Sequence, residues 1–137
     1  MAFLDTSAFA KRYVTERNSE TVLELCARAD DLVVSVMCMP ELIAVLSRLV
    51  REKKLSRSDY GRIKRTAVAE MMDIDICQIT SGVLDSAVAL LERHALRTLD
   101  VVHVACAMAV APDIFVSADR RQLLAAEKSG LKTLDLY

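Results

Sequence analysis

Tryptophan is absent from the chain, and three Phe and three Tyr are its only other large aromatic residues. With so few rings, a nucleic-acid platform built from bases stacked on aromatics is not expected. Proline and glycine are scarce as well. Only Pro40, Pro112, Gly61, Gly82 and Gly130 punctuate the sequence, so no Pro/Gly-rich linker, low-complexity stretch or repeat divides it. No apolar run approaches the roughly 18 residues that a membrane span requires. The opening Met1-Ala2-Phe3-Leu4-Asp5 has no basic start and meets an acid at once, unlike a secretory signal. Cys26, Cys38, Cys77 and Cys106 lie far apart with no CxxC pair. That spacing favours buried free thiols in a reducing cytoplasmic setting over disulfides or a zinc site. No GxxxxGK[ST] loop occurs, which excludes a P-loop NTPase.

What the chain does contain is apolar surface. Hydrophobic residues make up 53 % of its 137 residues, enough for the core of one ordinary domain spanning residues 1–137. The formal net charge is −1, so the molecule as a whole does not attract phosphate. The charge is uneven, however. Arg48, Arg51, Lys53, Lys54, Arg57, Arg62, Lys64 and Arg65 face only Glu52 and Asp59 across the same stretch. A solvated helical hairpin accounts for this run. A local phosphate-binding patch that includes Arg51, Lys54 and Arg57 is the functional alternative.

Short apolar runs alternate with longer amphipathic ones. Strands are predicted at Ala2–Leu4, Leu32–Val36, Met72–Cys77, Ile114–Val116 and Lys132–Leu136. Between them the periodicity predicts helices from Thr6 or Ser7 to Tyr13, Ser19 to Ala29 with Val22, Leu23, Leu25 and Cys26 inside, and Glu41 to Glu52 behind Pro40. Further helices are predicted from Ser56 or Ser58 to Met71, Ser81 to Ala95, Thr98 to Val110, and Asp119 to Lys128, the last ended by Gly130. Strands alternating with helices imply an α/β fold with a parallel sheet covered on both faces. Ligands of such sheets bind beyond the carboxyl ends of the strands.

Four acids fall in that region. Asp5 directly follows the first strand and could serve only to cap a helix. Asp119 follows the fourth strand, and with Gln122 it forms a capping-box pattern sufficient to explain it alone. Glu41, in the first turn of its helix, suits the helix dipole, but it is in line with Val45 on the apolar side. Asp100 is harder to dismiss. Its helix, Leu99 to Val110, is apolar nearly all round, and a carboxylate there must be paired, protonated or bound to a cation. Thr98 is the better placed cap. His103, one turn on, could hydrogen-bond Asp100 or fill space; it lacks a second histidine at ligand spacing, which favours a supporting role. Carboxylates gathered at one sheet edge repel one another unless a hard divalent cation neutralises them. Oxygen donors without Cys or His suit Mg²⁺ or Mn²⁺, and such sites hydrolyse phosphate esters.

The blocks Leu4-Asp5-Thr6-Ser7-Ala8, Pro40-Glu41-Leu42, Leu96-Arg97-Thr98-Leu99-Asp100-Val101-Val102-His103-Val104-Ala105 and Val116-Ser117-Ala118-Asp119 resemble, in order and spacing, the motifs of PIN-domain nucleases. The group they resemble most is the VapC-type toxins of toxin–antitoxin pairs, and the resemblance runs along the whole chain. It implies a five-stranded parallel sheet between helices and a Mg²⁺- or Mn²⁺-dependent endoribonuclease acting on RNA. It implies Asp5, Glu41, Asp100 and Asp119 as the acidic site, with Asp5, Asp100 and Asp119 as metal ligands. Thr6, Ser117 and His103 stand where supporting residues are expected. A homodimer and a cognate antitoxin partner are implied as well. The family often carries a further acid beside the last Asp, whereas here Arg120 and Arg121 follow.

Four other readings compete. A phospho-accepting receiver domain needs an acid pair after the first strand, an Asp after the third and a Lys after the last. Here the third strand ends Ile76-Cys77-Gln78. A DxDxT phosphatase fails at Ser7. A non-catalytic PIN module would be favoured by loss of an acid, yet all four are present. An RNA-processing or DNA-directed nuclease outside a toxin–antitoxin pair keeps the same chemistry.

Overall fold

The computed structural model describes residues Met1–Tyr137. Five strands are present: β1 (Ala2–Leu4), β2 (Leu32–Ser35), β3 (Asp75–Cys77), β4 (Ile114–Ser117) and β5 (Thr133–Asp135). They form one parallel sheet in the order β3-β2-β1-β4-β5. Seven helices connect them: α1 (Thr6–Ala10), α2 (Ser19–Arg28), α3 (Cys38–Arg51), α4 (Arg57–Glu70), α5 (Ser81–Arg93), α6 (Thr98–Val110) and α7 (Arg120–Lys128). The expected α/β class, parallel sheet and single domain are therefore present.

The sheet divides two apolar layers. Because strand side chains alternate between faces, Phe3, Val33 and Phe115 enter one layer with α5, α6 and α7. Their neighbours Leu4, Val34 and Val116 enter the other, with α1, α3 and α4. Phe3 and Phe115 stack across the middle with ring centroids 5.9 Å apart. α6 lies in the first layer, and every residue from Asp100 to Ala107 is buried. That explains why its sequence is apolar nearly all round.

Several local expectations need correction. Asp5, not Thr6 or Ser7, caps α1, because its carboxylate accepts the Ala8 amide. Helix α3 begins at Cys38, so Pro40 stands third; a proline is tolerated throughout the first turn because its missing N–H has no intrahelical partner there. Thr98 is the first residue of α6, and Arg97, in extended backbone, precedes it without a side-chain cap. Leu23 is exposed, since the inward face of α2 is set by Val22, Leu25 and Cys26 at helical spacing. Strand β3 is confined to Asp75–Cys77, where Val33 to Ser35 pair with it. Gly130 ends α7 as expected, with φ of +87°. All four cysteines are free; Cys38 and Cys106 are buried, while Cys26 and Cys77 are partly exposed.

Chain order reverses at β1. From β1 the sheet grows through β2 and β3 on one side, and β4 and β5 lie on the other. The crevice where open parallel sheets bind ligands therefore falls between the carboxyl ends of β1 and β4. α3 leaves that same edge of the sheet after β2, and α4 returns the chain to the opposite edge to start β3. The basic run spans the end of α3, the turn after it and much of α4.

Candidate active site

Asp5 leaves β1 at the switch point and is almost wholly buried, at 1 % exposure. Its Oδ1 accepts from the Ala8 amide at 2.8 Å and from Ser7 Oγ at 2.7 Å. Its Oδ2 accepts from Ser117 Oγ of β4 at 2.7 Å. The Ser7 hydroxyl in turn accepts from the Ala118 amide at 2.9 Å, and the Ser117 hydroxyl from the Asp119 amide at 2.9 Å. These bonds stitch the ends of β1 and β4 together around one carboxylate. Burial pushes the Asp5 carboxyl above the usual carboxylate range, against the opposing pull of His103 and of its amide and hydroxyl donors. It has donors but no cation in contact.

Glu41, from the first turn of α3, meets α6 and α1 in a second group. His103 Nε2 donates to its Oε2, and Thr6 Oγ1 donates to the same oxygen at 2.5 Å. On the other side of the imidazole, Nδ1 lies 3.0 Å from the hydroxyl of buried Ser35. That hydroxyl also accepts from the Met37 amide at 3.2 Å. Ser35 Oγ can therefore donate to Nδ1, which puts the ring proton on Nε2 where Glu41 needs it. Burial alone would raise the Glu41 carboxyl, but the bonds from His103 and Thr6 outweigh it and hold it below its usual value. The sequence leaves His103 either to bond Asp100 or to fill space, and the ring does neither. The structure gives it Glu41 instead, because the ring at 103 points across to α3 and α1.

Asp100 stands one turn before His103 at the start of α6, with its Oδ2 3.0 Å from Arg97 Nε. Gln122 of α7 reaches its Oδ1 at 3.5 Å through Nε2. The buried Gln122 Oε1 has no partner. Asp119 caps α7, accepting from the amides of Arg121 at 2.8 Å and Gln122 at 3.4 Å. The capping-box pattern is only half realised: the Gln122 side chain turns to Asp100, and Ser117 takes the Asp119 amide.

All four acids line one cleft of about 310 Å³, together with Thr6, Ser7, Val45, Arg97, His103 and Gln122. Ser117, fully buried beneath it, reaches the site through Asp5. Lys11 also lines this cleft; its buried ammonium is held by Glu16 at 3.2 Å and by the Arg17 carbonyl at 2.9 Å. Arg51, Lys54 and Arg57 do not line it. Arg51 lies ten residues along α3 from Glu41, about 15 Å by helical rise. All three are exposed, and Lys54 pairs with Glu52 at 2.8 Å.

The donor set fits a hard divalent cation in kind: the acids offer oxygen only, and Asp5 is a buried charge without a counter-charge. No three acidic, histidine or cysteine side chains converge to hold an ion in this arrangement. Asp100 is engaged by Arg97 and Asp119 by its own helix amides, so an ion would compete with those donors.

Ser7, Ser35, Arg97 and Gln122 join the site without having been assigned a place in it from sequence. Ser7 looked like a helix starter. Arg97 had a visible signal, three residues before Asp100 at ion-pair spacing. Ser35 and Gln122 had none, because each meets its partner only through the packing of different elements.

Comparison with known proteins agrees with this architecture. The sequence model of the PIN domain matches residues 2–128. Ribonuclease VapC45 of Mycobacterium tuberculosis is 31 % identical over 134 residues, spanning 96 % of this chain and 93 % of the relative. A toxin–antitoxin complex from Klebsiella pneumoniae superposes with a TM-score of 0.70 at 15 % identity, covering 100 % of this chain and 98 % of that one. Mycobacterium tuberculosis VapC20, described as a sarcin-ricin loop cleaving toxin, superposes with a TM-score of 0.71 at 17 % identity, covering 91 % and 95 %. At such identities the structural likenesses speak for the fold, while the domain match and the VapC relative speak for kinship: the chain belongs to the PIN-domain family, alongside the VapC ribonucleases.

Proposed function

We propose that the protein is a Mg²⁺- or Mn²⁺-dependent endoribonuclease whose activity a partner antitoxin restrains. The single observation that carries this reading is the cleft at the switch point, into which Asp5, Glu41, Asp100 and Asp119 all open. The naming of its curated relatives as ribonucleases supports RNA as the substrate. Solved toxin–antitoxin complexes of the same fold support the antitoxin.

Asp5, Asp100 and Asp119 would hold the cation. A bound divalent ion supplies hydroxide at neutral pH and offsets charge on phosphoryl oxygens. Asp5 is fixed for that purpose by donors from Ser7, Ala8 and Ser117, which leave its carboxylate little freedom to turn. Glu41 is kept ionised by His103 and Thr6, so it is available to orient or accept a proton from a water. Arg97 and Lys11, the cations lining the cleft, are suited to phosphate oxygens of the substrate. At the hairpin tip, Arg51, Lys54 and Arg57 would hold phosphates of the RNA farther along the strand, adding affinity without sequence choice. A homodimer is proposed on the family resemblance alone. The test is cleavage of single-stranded RNA with and without divalent metal. Cutting of DNA but not RNA would place the same chemistry in a DNA-directed nuclease, and no cutting of either would leave a binding module.

A further inference from the structure

The two arginines that stand beside Asp119 find a structural context next to the cleft. A second hollow of about 340 Å³ is lined by Ser7, Ala118, Asp119, Arg120, Arg121 and Tyr137. Ser7, Ala118 and Asp119 line both spaces, so the hollow lies beside the acidic cleft. Its volume is at the small end of the roughly 300–1,000 Å³ typical of small-ligand sites.

One wall of the hollow pairs an arginine with an aromatic ring. The Arg120 guanidinium lies 3.9 Å from the centroid of the Tyr137 ring, a cation–π stack. Tyr137 nevertheless keeps 62 % of its exposure, so much of the ring remains open to a planar partner. The chain around the ring is tied down. The Leu136 amide donates to the Ser117 carbonyl at 2.9 Å, and the Leu136 carbonyl accepts from Asn18 Nδ2 at 3.1 Å. The Tyr137 amide donates to Asp135 Oδ1 at 2.7 Å, and the Leu136 side chain is buried. Arg121 keeps only a loose contact with Asp119, 3.8 Å, and its side chain is 58 % exposed. One stacked guanidinium, one exposed ring and one loosely paired guanidinium thus line the hollow beside the acids.

The geometry points to a nucleotide subsite: Tyr137 and Arg120 form a stacking surface for one base of a single-stranded RNA, and Arg121 holds the phosphate next to it. This rests on the ribonuclease reading of the cleft and specifies where its substrate lies. A stacked base is sequence-tolerant, because every base has a π face, and a guanidinium matches phosphate with paired donors. One ring is far from an aromatic platform, so the subsite holds a single nucleotide in register with the acids and gives no sequence choice.

The experiment uses short single-stranded oligoribonucleotides with a mapped cut site and an abasic residue placed in turn at each of the two nucleotides on either side of the cut. Wild type should lose roughly tenfold or more in kcat/KM at one position. Tyr137→Ala should be lower on the intact strand and lose no more at that position, whereas Tyr137→Phe should behave as wild type. Arg121→Gln should raise KM more than it lowers kcat, at every sequence. Tyr137→Trp adds a reporter to a chain with no other Trp, and its fluorescence should be quenched by the intact strand and not by the abasic one. An undiminished abasic penalty in a folded Tyr137→Ala, or no penalty at any position in wild type, overturns the subsite while leaving the ribonuclease intact. Absence of any RNA cleavage by wild type overturns both.

Discussion

Ser117 Oγ donates to Asp5 Oδ2 at 2.7 Å, a bond between residues 112 apart in sequence that closes the switch point of the sheet. The same hydroxyl accepts the amide of Asp119, so a single serine oxygen links two proposed metal ligands. Ser117→Ala removes both bonds at once and orphans an amide. Stability should fall by about 1–3 kcal/mol, and cleavage by roughly 10–100-fold, the usual cost of losing a group that orients a metal ligand. Urea unfolding alongside an RNA cleavage assay measures both; a variant with full activity would remove Ser117 from the site.

Asp5 and Glu41 should respond to pH in opposite senses. Burial raises the Asp5 carboxyl in the folded state, so the native protein binds that proton more tightly than the unfolded chain. Metal-free stability from this group is therefore greatest below the ordinary aspartate value and declines as pH rises through the raised one. Glu41 is held below its usual value. Its contribution is present above the ordinary glutamate value and is lost as pH falls through the lowered one. In EDTA at neutral pH, Asp5→Asn should stabilise the fold, whereas Glu41→Gln should destabilise it by about 1 kcal/mol. Denaturation series across acidic to neutral pH test this, and the same sign for both variants would contradict it.

Arg97 occupies a carboxylate proposed to hold the ion. Its Nε lies 3.0 Å from Asp100 Oδ2, with the arginine side chain 74 % exposed. Removing that charge frees Asp100 and lowers the positive potential of the cleft. Arg97→Gln should tighten Mn²⁺ binding by about three- to tenfold, a modest gain because the guanidinium is solvated. Calorimetric titration with Mn²⁺ reads the change; weaker binding would mean that Arg97 supports the ion instead of competing with it.

The basic hairpin acts, on this account, at a distance from the chemistry. Charge reversal of Arg51, Lys54 and Arg57 together should weaken RNA binding and flatten its salt dependence. Each phosphate contact on a single strand contributes a slope of about −0.7, so three lost contacts change it by about 2. Anisotropy titrations over a range of salt concentrations give that slope. An unchanged value would reduce the hairpin to a solvated surface, or to a face used by another protein.

Much of this was legible from sequence because the signals are local. Strands β1, β2 and β4 are short apolar runs, and the rise of hydrophobicity around Asp100 marks α6 as buried and its acid as unusual. The four acids could be grouped because a parallel sheet gathers strand ends at one edge. Other features escaped for physical reasons. Capping and site chemistry coincide in Asp5 and Asp119, whose carboxylates accept helix amides and line the cleft at once, so neither role excluded the other. The partner of His103 is not legible from sequence: helical spacing offers only Asp100 one turn away, while tertiary packing sets Glu41 of α3 before the ring. Tyr137 meets Arg120 through the pairing of β5 with β4, a contact no local pattern announces.

The most direct test of the central claim is cleavage of single-stranded RNA by the wild-type protein and by Asp5→Asn and Asp100→Asn, each shown to be folded by thermal melting. The account predicts cutting by wild type with Mg²⁺ or Mn²⁺, none in EDTA, and a loss of at least about 100-fold in each folded variant. Equal cutting in EDTA, or a folded Asp100→Asn that cleaves RNA as wild type does, would contradict it.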